Sequence, residues 1–186
     1  MNKKARITHI VSEKLEEDCD LLVNWNGKMS KEKVVEVFDM IEKILNEAGE
    51  EHSLISAKNL VVNKKGRSEP KIAIDGTRYT VPSSDTKVLR YQAPELVQEH
   101  SPTKVSHFWT LGVLLFEKEN QGLNPFETNK ALVMKRMIQY YPVNFSRTQQ
   151  QDPELRALVM ELLNKSPDQR LGSEGFQEIR SHAFFN

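Results

Sequence analysis

Few residues of this chain combine a reactive side chain with a spacing that supports chemistry. Cys19 is the single cysteine, so it forms no disulfide within the chain. A reactive thiol is one interpretation of Cys19, and a packing or surface thiol is the favoured one. No cysteines and histidines have the spacing of a zinc site, and no Gly-x-Gly occurs to let a backbone approach phosphates. These patterns predict neither a bound metal nor a cofactor.

The overall composition is that of one globular domain covering residues 1–186. The chain is 38% hydrophobic and 28% charged, which is enough for a substantial core. Its 26 basic and 26 acidic residues balance, so bulk charge favours neither nucleic acid nor an acidic membrane surface. The basic N-terminal start lacks a long apolar stretch and a cleavage-like site. We therefore expect no signal peptide or transmembrane segment, and a cytoplasmic location.

The element that must position everything else is the apolar stretch from Phe108 to Phe116, in which only Thr110 and Gly112 are not large and apolar. A run that is apolar on all sides belongs inside a core. A buried strand is the alternative, because periodicity alone does not separate the two. The continuation Leu-Leu-Phe-Glu-Lys-Glu favours a helix, which Gly122 and Pro125 then close.

Apolar periodicity predicts three further helices. The first spans residues 34–45, with Ser30 as its N-cap. The second spans 128–140, with Leu132, Met134 and Met137 among the residues turned inward. The third begins at Asp152-Pro153, an N-cap followed by proline in the first turn. Short strands are predicted at 60–62 and 71–74, so the chain is expected to be mainly α.

Several motifs resemble the C-terminal lobe of eukaryotic protein kinases. The stretch 106–126 resembles the lobe's central helix, 90–96 resembles its R-Y-x-A-P-E motif, and 165–172 resembles D-P-x-x-R-L-G. The ten matching positions of the central helix are Trp109, Leu111, Gly112, Val113, Leu114, Leu115, Glu117, Gly122, Pro125 and Phe126. One departure is His107, which stands where the family has Asp.

The resemblance covers roughly residues 10–185 and implies a fold. That fold is a mainly α, protein-kinase-like C-terminal lobe with a small β-hairpin formed by 60–62 and 71–74. The N-terminal lobe is expected to be absent or nearly so, with residues 1–15 as a remnant strand and hinge. In kinases the Glu of the first motif pairs with the Arg of the second, so Glu95 is expected to form a structural pair with Arg170.

Positions that carry chemistry in kinases hold other residues here. The catalytic-loop pattern H-R-D-L-K-x-E-N-L is His-Ser-Leu-Ile-Ser-Ala-Lys-Asn-Leu from residue 52, so Leu54 stands at the catalytic Asp. Ile74 stands at the metal-binding Asp, and Asp75 lies one residue later. An aliphatic side chain neither accepts a proton nor orients a hydroxyl. With no Gly-rich loop either, we predict that the chain is not an enzyme and is pseudokinase-like, without catalytic residues.

Because scaffold residues are retained while reacting residues are lost, we predict a non-catalytic signalling module. It would act as a scaffold or regulator by binding another protein, a peptide or a helical segment, as kinase-like C-lobe domains bind cytoskeletal partners. No nucleic-acid or membrane partner is expected. One candidate surface, or alternatively part of the core, comprises Val11, Leu15, Leu21, Leu22 and Trp25. A second is the groove formed by Arg90, Tyr91 and the helix 128–140, where kinases dock substrates and partners. Its candidate residues are Tyr91, Met134 and Met137, with core packing of the methionines as the alternative.

Two other functions remain open from the sequence. The chain resembles a fragment of a Ser/Thr protein kinase whose N-terminal lobe is supplied elsewhere, with Asn59 or Asp75 still holding metal. It is also consistent with a decoy that competes with a true kinase for its partners.

Overall fold

Helices dominate the part of the chain that the computed structural model describes, namely residues 19–21, 30–48, 61–63, 84–145 and 152–186. The α-helices in these ranges are α1 Lys31–Ala48, α2 Thr86–Leu89, α3 Pro94–Val97, α4 Lys104–Glu119, α5 Ala131–Tyr140, α6 Pro153–Leu162 and α7 Phe176–Arg180. Two 3-10 turns follow α6 and α7, at Pro167–Gln169 and Ala183–Phe185. The strands are β1 Cys19–Leu21 and β2 Val61–Asn63.

Helix α4 lies at the centre of the core, as its sequence predicts. Every residue from Ser106 to Glu117 is buried, so the helix has no solvent-facing side over these three turns. The backbone N–H of Thr103 donates to Ser106 Oγ at 3.3 Å, which satisfies a donor ahead of the first turn. Gly122, at φ 84°, then reverses the chain after the helix.

Helix α6 packs against α4 at a glycine. A Cβ atom on Gly112 would lie 2.9 Å from Leu163 Cδ2 and 3.0 Å from Leu162 Cβ, so only glycine allows this approach. The start of α6 follows the prediction, since Asp152 Oδ1 accepts from the Glu154 N–H at 2.9 Å and Pro153 occupies the first turn.

Helix α1 is amphipathic, and the prediction of a helix over 34–45 is confirmed, with three further residues at each end. Its buried stripe comprises Val34, Val37, Phe38, Ile41 and Leu45. The Phe38 ring lies 6.4 Å from the Phe108 ring and 5.6 Å from the Phe185 ring, measured between centroids. Arg180 also binds Asp39 at 2.7 Å and Glu42, which ties α7 to the outer side of α1.

Helix α5 begins three residues after the predicted start at residue 128. The Lys130 N–H donates to Thr128 Oγ1 at 3.3 Å, so these residues form a side-chain-stabilised turn before the first helical residue, Ala131. Leu132 was expected to face inward and is 69% exposed instead. Met134 and Ile138 fill the inward side, because α5 packs there against α2 and α3.

The two strands form an antiparallel pair in which Cys19 lies opposite Asn63 and Leu21 opposite Val61. Strand β2 matches the predicted strand at 60–62 to within one residue. Its predicted hairpin partner at 71–74, like the remnant segment 1–15, lies outside the described residues, so the hairpin stays a prediction. No helix among the described residues is long and apolar enough to cross a bilayer.

Candidate functional site

A buried ion pair joins α3 to the segment after α6. Arg170 Nη1 donates to Glu95 Oε1 at 2.7 Å, and Nη2 donates to Oε2 at 2.8 Å. Ser106 Oγ donates to the same carboxylate at 2.8 Å, so α4 joins the contact. Arg170 also donates to the carbonyls of Asn164 and Val105, at 2.9 and 3.0 Å. All these partners satisfy a guanidinium that is fully buried.

The pKa of Glu95 reflects two opposing influences. Burial alone would raise the pKa, but the hydrogen bonds and charge of Arg170, with a further bond from Ser106, hold it below its ordinary value. The carboxylate is therefore ionised at neutral pH and fixed in place. The local sequence supports this geometry, since Ala93 is the N-cap and Pro94 the first residue of α3, which carries Glu95 into the core.

A second network fixes the segment that leads into α3. The Tyr91 hydroxyl donates to Glu117 Oε2 at 2.9 Å, and Asn124 Nδ2 donates to Oε1 at 2.8 Å. Thr110 Oγ1 donates to the Tyr91 carbonyl at 3.0 Å, which secures the backbone as well. Burial raises the pKa of Glu117 above its ordinary value, and burial beside Glu117 strongly raises the pKa of Tyr91.

Arg90 lies at the solvent edge of this network. Its Nη2 atom is 3.1 Å from Glu127 Oε1, and both side chains are partly exposed. Residues 90–97 are thus held on α4 by Tyr91 and Glu95, while Arg90 faces the surface. Such a segment presents a fixed backbone to any molecule that binds along it.

The predicted partner-binding residues do not form one surface among the described residues. Met134 is fully buried, so its prediction as a binding residue is corrected to a core residue. Tyr91 and Met137 are half-buried and pack against the core, and their partner roles stay predictions. Leu21 lies in β1. Outside the described residues lie Val11, Leu15, Leu22 and Trp25, and also Leu54, Asn59, Ile74 and Asp75.

Lys165 is an interacting residue that the sequence did not single out. Its Nζ atom lies 4.9 Å from the Trp109 ring centroid and 4.6 Å from that of Phe126, whose rings stack nearly parallel. It also donates to the carbonyl of Ile138 at 2.7 Å, at the end of α5. Burial, with a smaller contribution from the charge of Arg170, lowers the pKa of Lys165 to about 8. Lys165, Trp109 and Phe126 are distant in the chain, so no periodic pattern in the sequence predicts their contact.

Comparison with known proteins identifies the lobe. The sequence model of the protein kinase domain matches residues 52–185. Serine/threonine-protein kinase gad8 of Schizosaccharomyces pombe is 44% identical over 96 residues, which are 52% of this chain and 16% of that protein. Serine/threonine protein kinase ypkA of Aspergillus fumigatus is 42% identical over 95 residues, 51% of this chain and 15% of that protein.

A plant relative extends the match along the chain. Serine/threonine-protein kinase AtPK2/AtPK19 of Arabidopsis thaliana is 28% identical over 146 residues, 76% of this chain and 30% of that protein. The chain therefore spans less than a third of each of these relatives.

These matches overturn one prediction made from the sequence. The expectation of a non-enzyme is wrong, because the relatives are named serine/threonine-protein kinases and the domain match begins at His52, inside the catalytic-loop region. The labels pseudokinase and scaffold are wrong for the same reason. Leu54 and Ile74 are two substituted positions within a lobe that matches the family over 52–185. With a kinase-domain match over 52–185 and this helical core, the chain belongs to the protein kinase domain family, of which it carries a C-terminal-lobe region.

Proposed function

We propose that this chain is the C-terminal-lobe part of a Ser/Thr protein kinase, which transfers the γ-phosphoryl group of ATP to a hydroxyl of a protein substrate. The observation that carries the proposal is the domain match over 52–185. Relatives named serine/threonine-protein kinases support the type of acceptor. Residues 1–186 would form a single domain in this arrangement.

Phosphoryl transfer depends mainly on positioning and on stabilising charge. The described residues contribute positioning, because the Glu95–Arg170 pair and the Tyr91–Glu117 bond fix residues 90–97 on the central helix. In the proposed enzyme, Asn59 and Asp75 are the groups that would hold magnesium, since amide and carboxylate oxygens are the ligands this ion takes.

The remaining parts of the site would come from a segment outside this sequence. A Gly-rich loop and a strand lysine bind the phosphates of ATP in kinases, and the sequence contains no Gly-x-Gly to serve as that loop. We therefore propose that an N-terminal lobe, from the same or another polypeptide, completes the nucleotide site.

The proposal is tested by joining an N-terminal lobe from a matched kinase such as gad8 ahead of residue 1. Transfer of labelled phosphate from ATP and magnesium to Ser/Thr peptides is then measured. We expect transfer by the joined protein and its loss in Asp75→Asn. Asp168→Asn, which changes an exposed carboxylate in a 3-10 turn, is the matched control and should retain transfer. Absence of transfer, together with no magnesium-dependent thermal stabilisation by ATP, would contradict the proposal.

A further inference from the structure

Lys165 follows α6 in the chain and binds the last turn of α5. Its Nζ atom donates to the Ile138 carbonyl at 2.7 Å and to the Met137 carbonyl at 3.3 Å. In a longer helix the N–H of residue 142 would bind the Ile138 carbonyl, but Pro142 has no N–H. The Lys165 side chain therefore caps a carbonyl that the helix itself leaves without a donor.

Two aromatic rings also contact this amine. The Trp109 and Phe126 rings are nearly parallel, with 7° between their planes, and Nζ lies 4.9 and 4.6 Å from their centroids. Arg170 lies on the same Trp109 ring, with its Cζ atom 5.2 Å from the centroid. Arginine keeps its charge in proteins, and this one is bound to Glu95. Of the two cations at the ring, Lys165 is therefore the one that can lose its proton.

The neutral form of this amine fits the site and is the nucleophilic form. It has two N–H groups, which match the two carbonyls, and its lone pair is left for an electrophile. Burial, with the charge of Arg170, lowers the pKa of Lys165 to about 8, so about a tenth of the amines are neutral at pH 7. At the ordinary value of 10.5 that fraction is about 0.03%. The Lys165 side chain is only partly buried, which leaves a path for a reagent.

We propose that Lys165 is an acylation site, where a small acyl thioester modifies the amine and thereby releases the end of α5. The Lys165 nitrogen attacks the carbonyl carbon of the thioester and forms an amide bond as the carbon–sulfur bond breaks. The sulfur leaves with the electron pair of that bond and takes up the proton that the nitrogen loses. The products are N-acyl-lysine and a free thiol, so no further reactant is needed. The reaction goes beyond the phosphoryl transfer proposed above, since it uses neither ATP nor a second lobe.

The contacts of the amine favour an acyl group over two other modifications. An aldehyde would give a neutral imine, whose nitrogen has no hydrogen left to donate to the Ile138 carbonyl. Carbon dioxide would give a carbamate, whose negative charge would lie beside two carbonyl oxygens. An amide keeps one N–H for Ile138, and its acyl methyl group can pack on the Trp109 and Phe126 rings. The Met137 carbonyl still accepts from the Tyr141 N–H, at 3.1 Å.

Acylation removes the charge through which Lys165 holds the end of α5. The cation–π contacts with Trp109 and Phe126 are lost, and so is the attraction between the ammonium and the negative C-terminal end of the helix. The rest of α5 remains packed on α2 and α3 through Met134 and Ile138, which are fully buried. We therefore expect acylation to loosen the last turn of α5 while the lobe stays folded.

The test of the site treats the full chain with acetyl-CoA, a thioester, at pH 7. Peptide mass spectrometry then measures the initial rate of acetylation at each lysine. Lys87 and Lys130 are exposed and serve as references within the same molecule. We expect the rate at Lys165 to be at least about fivefold that at either reference, a smaller factor than the neutral fractions alone would give, because nucleophilicity falls with basicity.

Variants test the release of α5 by amide hydrogen exchange. Lys165→Gln has a neutral amide, as acetyl-lysine does, and exchange in the last turn of α5 should become at least about fivefold faster. Lys165→Arg keeps the positive charge and should exchange at close to the rate of the parent chain. Lys87→Gln is the matched control, because it removes an exposed charge elsewhere and should leave exchange in α5 unchanged.

Two results would overturn the proposal. The first is acetylation of Lys165 at the same rate as Lys87 and Lys130, or more slowly. It is measured on the parent chain, so it does not depend on how well a variant folds. The second is equal exchange at the end of α5 in Lys165→Gln and Lys165→Arg. Neither measurement involves phosphoryl transfer, so failure here and failure of the proposed function are separate results.

Discussion

Arg170 binds both carboxylate oxygens of Glu95, at 2.7 and 2.8 Å, across a separation of 75 positions in the chain. The contact is dry, since the arginine is fully buried and the glutamate almost so. It joins α3, the start of α4 and the segment after α6 at one point. This ion pair fixes residues 90–97 in place through Glu95.

Removing one member of the pair should destabilise the lobe strongly. Arg170→Met leaves Glu95 charged and buried, with a cost of about 3–5 kcal/mol in the free energy of unfolding. The double variant Glu95→Gln, Arg170→Met should lose less than the sum of the two single variants, because neither side chain then retains an unpaired charge. Urea denaturation of the four proteins measures the coupling. Additive losses would show that the two residues act independently.

The same pair should make stability depend on acidity. The folded-state pKa of Glu95 lies below its ordinary value, so the unfolded chain binds this proton more readily. The stabilisation is complete above the unfolded pKa, near 4.5, and is lost as pH falls through the folded pKa. The difference in free energy of unfolding between the parent chain and Glu95→Gln should therefore shrink below about pH 4.5. A difference that stays constant from neutral pH down to about pH 3, roughly 1.5 units below the unfolded pKa of 4.5, would contradict this linkage.

Gly112→Ala should destabilise the lobe, although alanine normally favours a helix by about 1 kcal/mol over glycine. The added Cβ meets Leu163 Cδ2 at 2.9 Å, and such overpacking typically costs about 1–3 kcal/mol. Leu163→Ala frees the space, so the double variant should be less destabilised than the two single variants added together. Thermal unfolding measures all three. A stabilised Gly112→Ala would mean that α4 and α6 separate at little cost.

Lys165 should titrate near pH 8, since burial and Arg170 lower its pKa to about that value. Between about pH 8 and the ordinary lysine pKa of 10.5, the unfolded chain binds more protons at this residue than the folded chain. Its contribution to the free energy of unfolding therefore rises with pH over that interval. Lys165→Met should remove this rise. Carbon NMR of isotopically methylated lysines measures the pKa directly, and a value near 10.5 would contradict the buried geometry.

Leu54→Asp should accelerate phosphoryl transfer by the joined two-lobe protein. If Leu54 stands at the position of the catalytic base, a carboxylate there accepts the proton of the substrate hydroxyl, an effect worth ~10²–10⁴ in rate. Leu54→Asn, which matches the size but not the basicity, is the control and should give little gain. The rate of phosphoryl transfer to the peptide is measured for both variants. Equal rates for both variants would show that Leu54 does not occupy the base position.

Much of the helical framework follows from residue order alone. Apolar residues occupy one face of α1 and all faces of the central part of α4, so the sequence predicts a half-buried helix and a fully buried one. Asp152 and Pro153 likewise place the start of α6 through local hydrogen bonding and a fixed backbone angle. The resemblance also implied the contact that Glu95 makes with Arg170. Local chemistry and a known motif sufficed in these cases.

Activity was predicted less well than architecture. Leu54 and Ile74 at two aligned positions predict a non-enzyme, and the kinase-domain match over residues 52–185 with the named kinase relatives contradicts that prediction. Side-chain chemistry at one position cannot say which other group supplies a proton acceptor or a metal ligand. The sequence identifies candidates such as Asp75, and in the proposed enzyme the assembly of both lobes would decide which of them reach the nucleotide.

The sequence by itself determined how α1, α4 and α6 are patterned and where α6 begins, because those properties depend on neighbours within a few residues. The tertiary structure decided which of the other described side chains are buried and which are exposed. Periodicity predicts both Leu132 and Met134 on the inward side of α5, whereas packing against α2 and α3 buries Met134 and leaves Leu132 exposed. Lys165 gained its aromatic neighbours in the same way, since Trp109 and Phe126 approach it only when distant segments fold together. The burial of these side chains depends on contacts between segments that are distant in the chain, which local sequence patterns do not specify.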